Sequence, residues 1–275
     1  ALRYDQTVPT CRVIAQYPNE IKLPFKRYQI QTVWRSEKPQ KGRFREFLQC
    51  DADIFGVDHR ASDGETVALT IQIFKNLGFK NLTLWTRGVN TKLFHPRPHK
   101  RDLFSFPRPI FLNVGRISEE KNIEAFLKLG LPGTKIVVGD GPILNTLKTK
   151  YPNVIFMGAK HGEELASIYA ASDVFVFPSK TDTFGNVILE ALASGLPVAA
   201  YPVAGPVDIV GKSKVGFLNN DLQKATMDAY LAVSSGTLSQ KDCISFVKEN
   251  YTWLKSTKQF LSNLVTFNLI NKINK

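Results

Sequence analysis

The run "GRISEEKN", residues 115–122, sets Arg116 and Lys121 five positions apart across a predicted strand-to-helix turn. A planar guanidinium fork and an ammonium at that spacing can converge on one diphosphate. In "VVGDGP", Gly139 and Gly141 bracket a tight turn of the kind that lets backbone amides approach phosphate. The richest run is "PSKTDTFGNVILEALASGLPVAAYPV". There Asp182 stands in a loop, and Glu190 lies eight positions on, a little over one turn into a helix that begins near Gly185. The two acceptor oxygens of Glu190 suit a ribose diol, and the amides of Phe184, Gly185 and Asn186 suit a phosphate or sugar. A carboxylate in the first turns of a helix is also stabilised by the helix dipole, by about 0.3–1 kcal/mol, so a structural Glu190 has a rationale of its own.

A second set of candidates lies near the N-terminus, in "VWRSEKPQKGRFREFLQCDADIFG". Arg35, Glu37, Arg43 and Phe47 belong to a basic strand-loop-strand hairpin. Taken alone, an Arg-x-Glu on a strand is most often a cross-strand surface pair.

The elements that must position these residues fall into two patterns. In residues 1–84, "FKRYQIQTVWR" and "EFLQCDADIFG" read as strands, the second with apolar Phe47, Cys50 and Ile54, joined through a "SEKPQKG" loop. "DGETVALTIQIFKNLGF" then reads as a helix with Ser62 or Asp63 as cap and Gly78 as stop. This is an α+β, antiparallel pattern. In residues 85–275 the strand-like runs "IFLNVG", "KIVVG", "VIFMG", "VFVFP" and "LPVAAY" alternate with helical stretches, which predicts an α/β, doubly wound parallel sheet. In such sheets ligands bind beyond the carboxyl ends of the strands, where the glycine turns lie.

Composition narrows the class. The chain has 275 residues, 43% of them hydrophobic, with no repeat and no apolar run long enough to span a bilayer. Its three cysteines, Cys11, Cys50 and Cys243, have no CxxC spacing, which argues against a disulfide framework and a structural zinc site and favours a cytoplasmic location. The first residues, "ALRYDQTVPT", carry no basic-then-apolar signal pattern and read as beginning inside a domain. The net charge is +12, of which residues 1–84 supply +4 from 13 Lys/Arg and 9 Asp/Glu. That balance suits anionic partners: nucleotides, RNA or an acidic membrane surface met peripherally. A solvated basic surface satisfies the same numbers.

In order along residues 85–275, "RGVNTKLFHP", "VGRISEEKN", "VVGDGP", "YAASDVFVFPS" and "TDTFGNVILEALASGLPVA" resemble the C-terminal, nucleotide-sugar-binding domain of the GT-B retaining glycosyltransferases of the large family-four group, a Rossmann-like domain. The resemblance implies a nucleoside diphosphate sugar as donor and no tightly bound cofactor or metal. Arg116 and Lys121 would neutralise the leaving diphosphate, Glu190 would hold the ribose, and Gly139, Gly141, Thr183, Phe184, Gly185 and Asn186 would complete the donor site. Asp182 replaces the first glutamate of the family's E-x7-E motif and should lie near the donor sugar hydroxyls. The family's N-terminal domain, which supplies acceptor contacts and a catalytic-site histidine, has no counterpart here. None of His59, His95, His99 and His161 matches that histidine, so no catalytic residue is named, and the acceptor, lipid or glycan, stays open.

Residues 1–84 resemble another family. "VWRSE" followed by "RFREF" is similar to motif 2 of class II aminoacyl-tRNA synthetases, and "LRYDQTVPTCR", "KRYQI" and "QCDADIFG" are similar to histidyl-tRNA synthetases in particular. The resemblance implies ATP with Mg, Arg35 on the α-phosphate, Glu37 on the adenine amino group, Arg43 on the outer phosphates and Phe47 stacked on the purine. Asp5, Thr7, Gln49 and Asp53 would surround the substrate histidine. Motif 1, motif 3, the histidine-specific loop and the anticodon-binding domain have no counterpart, so tRNA is not an expected partner. The seam between the resemblances falls near Leu84 and Trp85, and strand edges exposed in the first segment are expected to favour self-association.

Overall fold

The apolar runs of the second half build one parallel sheet, as their near-continuous hydrophobicity requires of strands covered on both faces. The computed structural model describes residues 2–36, 44–79, 85–100, 102–182, 184–211 and 213–262. Two compact units emerge, Ala1–Thr83 and Leu84–Lys275.

The smaller unit runs α1 (Thr7–Gln16), β1 (Phe25–Trp34), β2 (Glu46–Phe55) and α2 (Arg60–Asn76). The strands form an antiparallel hairpin in register from Phe25 opposite Phe55 to Trp34 opposite Glu46. One face is polar, with Arg27, Gln29 and Gln31 opposite Asp53, Asp51 and Gln49. The other carries Tyr28, Ile30 and Leu48, which remain exposed. Helix α2 starts earlier than expected. Its cap is His59, whose side chain accepts from the Ala61 amide, and this leaves Ser62 and Asp63 inside the first turn. A histidine ring replaces the hydroxyl or carboxylate that sequence rules favour there. Gly78 closes the helix with φ +90, as expected.

The larger unit contains β3 (Ile110–Val114), α3 (Ile123–Leu127), β4 (Thr134–Val138), α4 (Leu144–Lys150), β5 (Ile155–Phe156), α5 (Gly162–Ala171), β6 (Val174–Phe177), α6 (Asn186–Ala193), β7 (Val198–Ala200), α7 (Ala204–Val210), β8 (Gly216–Leu218), α8 (Leu222–Ser234) and α9 (Gln240–Asn250). The parallel sheet has the order β5-β4-β3-β6-β7-β8. Strand β8 was not expected. Its three residues pair with β7 at the sheet edge and are too short to show a period. Leu112 and Phe175 point into one apolar core, and Phe111 and Val176 point into another, so helices cover both faces. The strand order reverses direction between β3 and β6, which makes their carboxyl ends the switch point where this architecture binds ligands. No helix among the described residues is long and apolar enough to cross a membrane.

Candidate functional site

A cleft of about 320 Å³ opens at that switch point. Its walls come from the end of β3, the loop that follows it, the end of β6, and the loop leading into α6. Asn113, buried on β3, donates to the Val176 carbonyl at 3.0 Å and ties the two central strands together. Beyond β3 the chain does not enter a helix at once, as the sequence suggested. Glu119–Lys121 form a 3-10 turn, and Asn122, at φ +50, separates it from α3. Asparagine tolerates this left-handed conformation better than most side chains.

The turn holds Lys121 against the opposite loop. Its Nζ meets Asp182 Oδ1 at 2.5 Å, while the Asn122 side chain donates to the Pro178 carbonyl at 3.0 Å and Thr181 Oγ1 to the Glu120 carbonyl at 3.1 Å. Arg116 lines the same cleft, 67% exposed, with Glu120 at 3.9 Å. Phe184, Gly185 and Asn186 complete the far wall. Gly185 has φ +86 at the N-cap of α6. Thr183 lies outside the described residues.

Gly139 and Gly141 stand elsewhere. A Cβ on Gly139 would come within 1.8 Å of the Gly115 carbonyl oxygen, and one on Gly141 within 2.1 Å of the Ile117 carbonyl oxygen. These glycines let the β4 turn pack directly on the backbone of the Arg116 loop. Glu190 likewise does not line the cleft. It sits on α6 and accepts from the hydroxyl of fully buried Tyr169 at 3.0 Å. Burial raises the Glu190 carboxyl above its ordinary range, against the opposing effect of the Tyr169 hydrogen bond. The Tyr169 hydroxyl is pushed well up by burial and by the Glu190 charge. Cys243 is pushed up to about 12 by burial, so its thiol is inert.

The sequence candidates did not include Arg87, Asn113 or Ser179, all of which line the cleft. Arg87 lies inside the "RGVNTKLFHP" run, but nothing in the spacing of that run points to a loop nearly a hundred residues further on.

In the smaller unit the polar hairpin face gathers the remaining candidates. The Arg35 guanidinium lies 5.2 Å from the Tyr4 ring and 5.1 Å from the Phe47 ring, and donates to Gln49 Oε1 at 3.2 Å. Gln49 donates in turn to Asp51 at 2.9 Å. Asp53 pairs with Arg27 at 2.6 Å. Asp5 accepts from the Val8 amide at 3.0 Å and so steadies the start of α1, where Thr7 is exposed. Fully buried Gln6, unanticipated from the sequence, bridges the strands by donating to the Gln49 carbonyl at 2.7 Å, and its own Oε1 has no partner. Glu37 and Arg43 lie outside the described residues.

Comparison with known proteins finds two families along the chain. Residues 108–235 match the family described as Glycosyl transferases group 1, and residues 1–91 match Histidyl-tRNA synthetase. A histidine–tRNA ligase of Christiangramia forsetii is 55% identical over 84 residues, 30% of this chain and 18% of the ligase. A GDP-mannose-dependent alpha-mannosyltransferase of Corynebacterium glutamicum is 36% identical over 160 residues, 55% of this chain and 38% of the transferase. The chain thus spans less than a fifth of one relative and well under half of the other. A solved structure of Anabaena HepE in complex with UDP superposes with a TM-score of 0.57 at 19% identity, over 67% of this chain and 57% of that one. The larger unit therefore has the α/β fold of the second GT-B domain, and the antiparallel hairpin of the smaller unit fits a class II synthetase fragment.

Proposed function

We propose that residues 85–275 bind a nucleoside diphosphate sugar as the donor half of a retaining glycosyltransferase, and that residues 1–84 are a synthetase-like fragment contributing no acceptor site. The observation that carries this reading is the cationic cleft at the switch point, where Arg116 and Lys121 face Asp182 and the Gly185 turn. Arg116 and Lys121 stabilise the negative charge that develops on the diphosphate as it departs. Asp182 and the amides of Gly185 and Asn186 address the sugar and the diphosphate, and Glu190, turned from its tyrosine, takes the ribose diol. The similarity to a GDP-mannose-dependent enzyme and to a UDP-bound fold supports a nucleotide-sugar donor and leaves its base and sugar open. Taken by themselves, residues 85–275 supply the donor side only, so this stretch binds donor without efficient turnover. Its basic surface suits peripheral contact with an anionic membrane, and the acceptor, whether lipid, glycan or small molecule, stays open.

Calorimetric titration with UDP, GDP and their sugars tests this. Saturable binding of one base is expected; a folded sample that takes up none of them removes the proposal.

The network of Gln6, Arg27, Arg35, Gln49 and Asp53 favours a second reading, in which the smaller unit retains contacts for histidine and for ATP with Mg. Histidine-dependent pyrophosphate exchange is expected at background, since residues 1–84 hold no counterpart of motif 3 or of the histidine-specific loop. Exchange above background would make the synthetase reading primary.

A further inference from the structure

Arg87 enters the cleft from a part of the chain remote from both cleft loops, and its backbone is held on each side. The Thr86 carbonyl accepts from Ser256 Oγ at 2.5 Å, Trp85 Nε1 donates to the Ser256 carbonyl at 3.1 Å, and the Val89 amide donates to the Tyr251 carbonyl at 2.8 Å. Between them Gly88 passes so close to the 252–253 backbone that a Cβ would lie 2.4 Å from the Trp253 nitrogen. The anchored segment projects Arg87 over the Phe184 ring, with the guanidinium carbon 5.7 Å from the ring centroid. Phe184 belongs to the loop that carries Asp182 and Gly185.

The charge pattern gives this placement its meaning. Ionised side chains lining the cleft are Arg87, Arg116, Lys121 and Asp182, a net of two positive charges. Lys121 is already paired with Asp182. Among the described residues no carboxylate pairs with Arg87. A sugar nucleotide brings two ionised diphosphate oxygens, so the cleft matches that charge only when Arg87 is counted.

We propose that Arg87 is a third diphosphate-binding cation of the donor site, held ready by its stacking on Phe184. The proposal rests on the nucleotide-sugar reading of the cleft. It differs from the roles of Arg116 and Lys121 in that Arg87 reaches the diphosphate from the start of the larger unit, outside the loops of the switch point.

The test titrates the full chain and its Arg87→Ala, Arg87→Gln and Arg87→Lys variants with UDP, GDP and the corresponding monophosphates, with circular dichroism melts alongside. Arg87→Ala and Arg87→Gln are expected to weaken the preferred diphosphate about tenfold while changing the monophosphate by less than about twofold. Arg87→Lys is expected to recover most of the loss. Undiminished diphosphate affinity in folded Arg87→Gln overturns the proposal and leaves the donor-site reading standing. Equal losses for mono- and diphosphate also overturn it, since they mark a role confined to loop structure. Absence of nucleotide binding by the wild-type chain removes both readings.

Discussion

Glu190 shows what burying a carboxylate beside a single hydroxyl does to its proton affinity. Its carboxylate is partly buried beside Tyr169, and burial raises its pKa more than the tyrosine hydroxyl lowers it. A carboxyl whose folded pKa is raised contributes stability that is full below its ordinary value and is lost as pH rises through the folded value. Glu190→Gln removes that dependence while keeping an acceptor for Tyr169. The variant should therefore melt above the wild type at pH 8, and the difference should shrink as pH falls and vanish below the ordinary glutamate range. The same variant should bind nucleoside diphosphates about tenfold more weakly if Glu190 holds the ribose. Calorimetric melts across pH together with titrations check both halves. A wild type as stable as the variant at pH 8 would mean that burial of this carboxylate carries no cost.

At the scale of elements, the cleft depends on how closely two turns pack. The Arg116 loop rests on the β4 turn through Gly139, which has φ +149 and leaves no room for a Cβ beside the Gly115 carbonyl. Gly139→Ala should destabilise the larger unit by about 1–3 kcal/mol, as overpacking and strained backbone do. It should also weaken diphosphate binding although the residue does not line the cleft. Gly130→Ala, with no atom within 4 Å of the added methyl, is the control and should alter neither. Denaturant melts and titration of the two variants decide the point, and equal affinities would sever the β4 turn from the site. The helices show the same dependence on local chemistry. α9 follows a capping box in which Ser239 and Asp242 satisfy each other's backbone amides, whereas α2 relies on the less common His59 cap.

For the whole molecule, the two units differ in how much they bury. The larger one encloses apolar side chains on both faces of its sheet. In the smaller one Val33 is the one buried apolar side chain among the described residues, while Tyr28, Leu48 and Leu77 are 78%, 71% and 68% exposed. Its sheet has two strands, so each has an edge without a strand partner among the described residues. Isolated hairpins of this size are marginal in water, and open edges invite pairing with other chains. Limited proteolysis should cut first within residues 1–79 and leave a resistant fragment beginning near Trp85, and melting should show two steps. Earlier cleavage within the larger unit, read by mass spectrometry, would reverse that order of stability.

Strands β3, β4 and β6 were legible from the chain because strands buried on both faces must be apolar throughout, and such runs stand out against any background. The glycine turns and the Asp182–Gly185 loop were legible for a related reason: a tight strand-to-helix connection admits few residue types. The short edge strand β8 left no period to read. The contact of Arg87 with Phe184, the pairing of Lys121 with Asp182, and the turn of Glu190 toward Tyr169 were decided by tertiary structure alone. Each joins residues 21 to 97 positions apart, and what brings them together is the reversal of strand order between β3 and β6 and the direction each side chain takes from its turn. Local sequence sets which residues can carry charge or bend the backbone; only the folded sheet determines which of them share a cleft.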